Sequence, residues 1–327
     1  MTPEPFRQAA ELLRASRRSL IFTHLRPDGD ALGSSFGLQE ALRRMGLEAE
    51  VFLPGPLANR HSKLFSGQLT AVSPEELKNF DTFIAVDCAN PPRLGIPECL
   101  SMEELRKKRF INIDHHRANS LESGFFDLVS PESASCCEVL AKILLGGGAE
   151  ITPRAATCLL AGMMTDTGCF RFANTTGGTL REAAELLDRG AELEKIVNAL
   201  FFSKPLNQVR FENELMNSCL RLSAGGRIAS AFIPRALLDK YDFDLREDEG
   251  LIDLLREIDG VVIAVLFHRT TDGVKVSLRS KDRAFPVGPL ARSFGGGGHD
   301  MAAGATLDLT DGEAEAVILE KLTSLLP

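Results

Sequence analysis

Four short stretches of the chain carry carboxylates and imidazoles in patterns suited to holding cations. His24-Leu-Arg-Pro-Asp28-Gly-Asp30 groups an imidazole with two carboxylates, Asp87 closes an apolar run, Asp114-His115-His116 closes another, and Asp166 stands in Thr165-Asp-Thr-Gly168. A lone aspartate after a strand is ordinarily a helix N-cap, its side chain accepting from backbone N–H groups. Two aspartates beside a histidine are less ordinary, and a histidine pair following an aspartate is rarer still. Unpaired carboxylates gathered at one place repel one another, and bound cations relieve that repulsion. Mixed Asp and His donors suit Mn, Mg, Fe or Co better than a closed structural zinc site, which favours thiolates. One carboxylate shared between two such sets would hold two cations roughly 3.5–4 Å apart, the arrangement of two-metal phosphoester chemistry.

The elements that must position these residues are legible in outline. Up to about residue 190, Leu20–Thr23, Glu50–Leu53, Thr82–Asp87 and Arg109–Asp114 read as strands, while Phe6–Arg18, Ala31–Met45, Glu132–Leu145 and Thr179–Asp188 carry helical periods. Pro153–Met164 is apolar enough to be a buried helix or a strand. The alternation predicts an α/β domain over 1–190 with a mostly parallel sheet flanked by helices. Carboxyl ends of parallel strands share one edge, and ligands bind in the crevice there. The four carboxylates and the imidazoles would therefore meet on one rim. Helical segments around Pro205 read as a linker over 191–218. Hairpin signals at Arg221–Ser230 and Ala264–Leu278, with a helical stripe over Gly250–Ile258 between them, predict a smaller mixed α+β domain over 219–327.

Composition narrows the classes. Lys+Arg 37 against Asp+Glu 45 gives a net charge of −8 over 327 residues, which argues against a broad basic surface for long duplex nucleic acid. Nine acids against Lys240, Arg246 and Arg256 fall within 239–259, read as solvated helix and loop. The longest apolar runs, Val261–Phe267 and Leu159–Met164, are far too short to span a bilayer, and the start lacks a signal-peptide pattern. Seven cysteines without a CxxC pair suggest reduced thiols and a cytoplasmic chain, with Cys136-Cys137 serving packing. His61 and His268 belong to no motif and read as ordinary residues.

The ordered set His24-x-x-Pro-Asp28-Gly-Asp30, Asp87, Asp114-His115-His116 and Asp166, followed by Gly295-Gly-Gly-Gly-His299-x-x-Ala-Ala-Gly304, resembles the DHH phosphoesterase family with its DHH-associated C-terminal domain. Within it, the compact two-domain form is similar to the nanoRNase/pAp phosphatase (NrnA-like) branch. The resemblance implies one metal on His24, Asp28 and Asp87 and a second on Asp30, Asp87, His115 and Asp166, most often Mn. Asp87 would bridge and, with His116 at the scissile phosphate, be catalytic, while Asp114 would orient an imidazole. The implied reaction is metal-dependent hydrolysis of short single-stranded oligoribonucleotides from one end, and of 3′-phosphoadenosine 5′-phosphate (pAp). The implied assembly is a homodimer, for which the sequence carries no independent signal.

At the substrate end, the glycine run Gly295–Gly298 is either a loop or a nest whose N–H groups approach a phosphate. Six bases against Asp272 and Asp282 lie between Arg269 and Arg292. Arg279, Ser280, Gly296, Gly297, Gly298 and His299 are the candidate substrate contacts, with Arg279 as the clamp for a terminal phosphate. With no Trp and one Tyr, base stacking would fall to Phe or His299. Arg117 faces either substrate or solvent. The alternatives are a phosphodiesterase of linear or cyclic dinucleotides (pApA, c-di-AMP), and a non-catalytic nucleotide-binding regulator. Pyrophosphatase or polyphosphatase activity is disfavoured by the C-terminal motif. A RecJ-like exonuclease on long strands is disfavoured by length and charge.

Overall fold

The computed structural model describes residues 3–57, 59–65, 72–117, 119–245 and 250–326. The chain packs as two units, Met1–Ser203 and Lys204–Pro327, a division that falls inside the segment 191–218.

The first unit is built on five parallel strands: β1 (Arg18–Phe22), β2 (Glu48–Val51), β3 (Thr82–Val86), β4 (Arg109–Asp114) and β5 (Phe126–Val129), in the order β2-β1-β3-β4-β5. The central strands are apolar throughout because both faces are covered. Leu20, Phe22, Phe83, Ala85 and Phe110 face one core, and Ile21, Ile84, Val86, Ile111 and Ile113 face the other. Helices Glu4–Arg14, Gly29–Arg44, Cys136–Gly146, Pro153–Asp166 and Gly177–Asp188 supply residues to the second core. The opposite core is closed by shorter pieces carrying Leu77, Leu94 and Leu105. After β1 the chain therefore leaves to one face and after β3 to the other, which puts the topological switch point between these two strands.

Pro153–Asp166 is a helix, with Thr152 accepting from Ala155 N–H as its cap, so the ambiguous apolar stretch is resolved. It lies directly against Gly29–Arg44. A Cβ on Gly33 would stand 2.5 Å from the Cys158 carbonyl oxygen, and one on Gly162 would stand 2.2 Å from Cys137 Sγ. No side chain larger than hydrogen permits that approach.

The second unit is a six-stranded mixed sheet in the order β10-β11-β9-β8-β7-β6. Its strands are β6 (Arg221–Ser223), β7 (Ile228–Ile233), β8 (Ile263–Thr270), β9 (Gly273–Ser280), β10 (Gly297–Gly298) and β11 (Ala302–Leu307). Both expected hairpins form, β6–β7 and β8–β9, and only β7–β8 is parallel. Helix Asp311–Leu325 covers one face through Ala314, Ile318 and Leu322, while Leu251, Ile252 and Leu255 cover the other. Residues 246–249 of the acidic stretch lie outside the described residues; within the rest, Asp239 pairs with Arg235 and Asp253 with Arg256. Among the described residues no helix is long and apolar enough to cross a membrane.

Candidate metal centre

Register sets the level of three of the motif residues. Phe22 of β1 lies beside Ala85 of β3, which lies beside Asn112 of β4. Two residues further along each chain come His24, Asp87 and Asp114. They occupy one rung at the carboxyl edge, at the switch point.

Asp28 is the N-cap of helix Gly29–Arg44, and its Oδ1 accepts from the N–H groups of Asp30 and Ala31 at 3.1 Å each. That role uses one oxygen only, and Oδ2 stands 3.8 Å from His24 Nε2. The capping role and the ligand role thus draw on different atoms of one side chain. His24 Nδ1 lies 2.9 Å from the Leu25 carbonyl oxygen, which can only accept, so Nδ1 carries the proton and Nε2 is the ring atom facing Asp28 and Asp87.

Asp87 follows β3 with φ of +53°, a conformation costly for a residue with a Cβ. It turns the carboxylate into the rung. Oδ2 lies 3.6 Å from His24 Nε2, whereas Oδ1 lies 3.5 Å from His115 Nε2 and 3.6 Å from His116 Nδ1. Oδ1 is buried, and among the described residues it has no hydrogen-bond donor. On the far side, His115 Nε2 is 3.7 Å from Asp30 Oδ2 and 3.3 Å from Asp166 Oδ2. The ligand atoms of His24, Asp28 and Asp87 fall within 4.8 Å of one another, and so do those of Asp30, His115 and Asp166. An orphaned buried carboxylate oxygen between two such triads fits a pair of divalent cations.

Asp114 plays a different part. Its Oδ1 accepts from the His115 backbone N–H at 2.7 Å and from His116 Nδ1 at 2.8 Å, and its Oδ2 accepts from Asn119. Both oxygens are occupied, and the side chain fixes the His116 ring.

Protonation follows from the crowding. Burial and the neighbouring Asp87 push Asp30 up to about 7, and burial with Asp30 raises Asp166 well above the usual carboxylate range. Burial opposes the imidazolium at His24 and His115, yet the surrounding carboxylates outweigh it and raise both well above their ordinary value. Burial would likewise raise Asp87, but His115 and His24 hold it well below the ordinary value. Without cations the cluster is therefore held together by protons, which cations must displace. The raised pKa of Asp30 costs the cation-free fold stability as pH climbs from its unfolded value near 4 through about 7. Mn at about 100 times its dissociation constant is expected to raise Tm by on the order of 5–10 °C at pH 8. The gain should be smaller at pH 6, where Asp30 and the imidazoles keep their protons. Thermal melts with and without chelator check this; a larger gain at pH 6 would contradict it.

The part of the site that sequence reasoning missed is the N-terminus of helix Cys136–Gly146. The Cys136 N–H donates to Asp30 Oδ2 at 2.7 Å and the Cys137 N–H to Oδ1 at 2.9 Å. Ser135-Cys-Cys-Glu138 is the sequence signal of a helix start, masked by the helical period read from Glu132 onward. Cys136 and Cys137 are buried free thiols, as expected of packing residues, but their main chain serves the site.

In the second unit, Arg279 pairs with Ala302 across β9–β11, and the backbones of His299 and Ala302 are hydrogen-bonded in a tight turn. Arg279 and His299 thus stand at the same end of this sheet. The glycine run is not a free loop: Gly297 and Gly298 pair with β11. A Cβ on Gly296 would meet the Gly304 carbonyl oxygen at 2.1 Å and one on Gly298 the Ala302 carbonyl oxygen at 2.6 Å, whereas one on Gly297 would meet nothing. Packing accounts for Gly296 and Gly298 and leaves Gly297 without a reason inside the unit. Ser280 is buried, and its Oγ donates to the Asp282 carbonyl oxygen while accepting from the Asp282 N–H, which shapes the turn after β9. The basic stretch is split: Arg269 lies opposite Val274 near the hairpin turn and pairs with Asp311, whereas Arg279 lies opposite Ala264 at the other end. Arg117 is exposed after the histidine pair.

Comparison with known proteins finds relatives of both units. A family model described as the DHH family N-terminal domain matches residues 18–163, and one described as the DHHA1 domain matches residues 226–326. The chain is 36% identical over 308 residues to the bifunctional oligoribonuclease and PAP phosphatase NrnA of Thermus thermophilus, covering 93% of this chain and 89% of that protein. It is 33% identical to the Bacillus subtilis protein of the same name, covering 92% of each. The crystal structure of an exopolyphosphatase-related protein from Bacteroides fragilis shares the fold, with a TM-score of 0.82 at 23% identity over 98% of this chain and 96% of that one.

Proposed function

The chain belongs to the DHH family and carries a DHHA1 domain after its DHH domain, and on that premise we propose that it is a metal-dependent phosphoesterase that hydrolyses short oligoribonucleotides from one end and dephosphorylates pAp. The observation that carries this reading is Asp87: a strained, buried carboxylate with one oxygen toward each of two Asp/His triads at the β1/β3 crevice. The relatives from Thermus thermophilus and Bacillus subtilis, named for both activities, supply the substrate class.

His24, Asp28 and Asp87 would hold one divalent cation and Asp30, Asp87, His115 and Asp166 the other, with Mn as the first candidate. When bound, the pair would supply the Lewis acidity for displacement at phosphorus. Asp114 keeps a proton on His116 Nδ1 and fixes the ring, so that Nε2 of His116 donates to a phosphoryl oxygen as charge develops. In the cation-free chain burial disfavours the imidazolium, but Asp114 and Asp87 outweigh it and raise the His116 pKa, which favours the doubly protonated ring that this donation needs. Arg279 takes a terminal phosphate, with His299 and the backbone at Gly297 beside it. Ser280, Gly296 and Gly298 shape that backbone. A grip on the far end of the substrate sets which phosphate reacts, and this favours short substrates. In this reading residues 1–190 form the catalytic domain, 191–218 a helical linker and 219–327 the substrate domain. Seven free cysteines accord with a cytoplasmic protein. The expected homodimer rests on the resemblance alone.

The test is a turnover panel with Mn containing pAp, RNA dimers to pentamers, a twenty-nucleotide RNA, cyclic dinucleotides and pyrophosphate. Mononucleotide release from the short oligomers and phosphate release from pAp are expected to exceed turnover of the long RNA by at least about tenfold, and Arg279→Ala is expected to raise KM for pAp by about tenfold to a hundredfold. Equal turnover of the long strand would overturn the short-substrate reading. Preference for cyclic dinucleotides would reassign the substrate, and an unchanged KM in Arg279→Ala would remove the clamp.

A further inference from the structure

We propose that Glu138 and Asn174 are positioning residues that hold Asp30 and Asp166 in place for one of the two cations, an inference that rests on the metal reading above and goes beyond it by separating the two sites. Neither residue belongs to a ligand triad, yet both act on the turn 134–137 whose N–H groups grip Asp30.

Glu138 is buried in the first turn of helix Cys136–Gly146. Its Oε2 accepts from the Ala134 N–H at 2.9 Å and from Thr179 Oγ1 at 2.9 Å, and its Oε1 accepts from Lys142 Nζ. Lys142 Nζ also donates to Ser133 Oγ at 3.0 Å. One carboxylate thus binds the segment before the helix, the helix itself and the start of Gly177–Asp188. Asn174 closes the loop from the other side. Its Nδ2 donates to the Ala134 carbonyl oxygen at 3.0 Å and to the Asp166 carbonyl oxygen at 3.1 Å.

Ala134 is therefore fixed at both ends, its N–H by Glu138 and its carbonyl by Asn174. Two residues later Cys136, and then Cys137, donate to the two oxygens of Asp30. A shift of this turn moves Asp30 directly and Asp166 through Asn174. It leaves His24 and Asp28 untouched, because Asp28 is set by the start of helix Gly29–Arg44 and His24 by the Leu25 carbonyl. The arrangement makes the Asp30–His115–Asp166 set separately sensitive. Partners beyond the ligands tune metal affinity by orienting the ligands themselves.

Mn titration of the full chain, followed by calorimetry and by the paramagnetic signal of free Mn, tests this. Wild type is expected to bind two ions. Glu138→Ala and Asn174→Ala are each expected to weaken one of them about 10–100-fold and leave the other unchanged, with Glu138→Gln, which keeps an acceptor oxygen, in between. Ser101→Ala, which removes the cap of helix Met102–Arg106 on the opposite face of the sheet from Glu138, should lower Tm without changing either affinity. Should Glu138→Ala fail to fold, Glu138→Gln and Asn174→Ala carry the test. Two ions bound by wild type with unchanged affinities in those variants would overturn the proposal alone. No Mn bound by wild type would overturn the metal reading and the proposal with it.

Discussion

Asp87→Asn is expected to lower kcat on every phosphoester substrate by about a thousandfold or more, with the fold intact. The substitution keeps the size and planarity of the side chain but replaces one anionic oxygen with an amide nitrogen that cannot coordinate. Because Oδ2 faces His24 and Oδ1 faces His115, no orientation of the amide serves both triads. The variant should also lose the shared negative charge, so Mn titration is expected to find both ions weakened, unlike the one-sided effect expected of Glu138. Stability of the cation-free variant should fall, since Asp87 is the buried anion that the protonated His24 and His115 rings hold, and its loss leaves both rings short of a partner. Steady-state kinetics on pAp and a short RNA, with a thermal melt as control, check this. Retention of more than about one per cent of wild-type turnover would sink the bridging role.

Gly162→Ala is expected to destabilise the first unit by about 3 kcal/mol and to lower Tm by roughly 6–12 °C. Its new Cβ would lie 2.2 Å from Cys137 Sγ and 2.9 Å from Asp30 Oδ1. Relief requires moving the start of helix Cys136–Gly146, which is also the element that grips Asp30, so Mn affinity should fall along with stability. Gly37→Ala offers the comparison, because its Cβ would press at 2.9 Å on the Leu159 side chain and on no backbone or carboxylate of the centre. A denaturant midpoint for Gly162→Ala equal to wild type, or a larger loss in Gly37→Ala, would contradict this account of the helix pair.

Most acids of the centre were legible because they belong to a short local pattern, a strand with a carboxylate or imidazole past its end; Asp166 instead closes a helix. Local chemistry also marked the strands β1, β3 and β4, whose burial on both faces makes them continuous apolar runs. The short edge strand β5 has a single fully buried residue, Leu128, too little apolar pattern to mark a strand in sequence. Helix Asp311–Leu325 opens on a capping box, Thr310 with Glu313, a purely local signal that marks its start in sequence.

Other features lie beyond any local pattern. That Asp30 sits on the N-terminus of a helix more than a hundred residues later depends on how two helices pack, and the packing depends on Gly33 and Gly162, which are far apart in sequence. The six bases between Arg269 and Arg292 look like one patch in sequence. A hairpin sends Arg269 and Arg279 to opposite ends, because residues separated along paired strands are separated in space. The glycine run reads as a loop until pairing with β11 makes it an edge strand with one glycine unexplained by packing. The amino-acid sequence by itself determined which side chains could hold cations and that a parallel sheet would carry them to one edge, since side-chain chemistry and strand patterning are local properties. Only the tertiary structure decided which oxygen faces which imidazole, what grips Asp30, and which end of the second sheet Arg279 shares with His299, since these follow from register and from the close approach of segments remote in the chain.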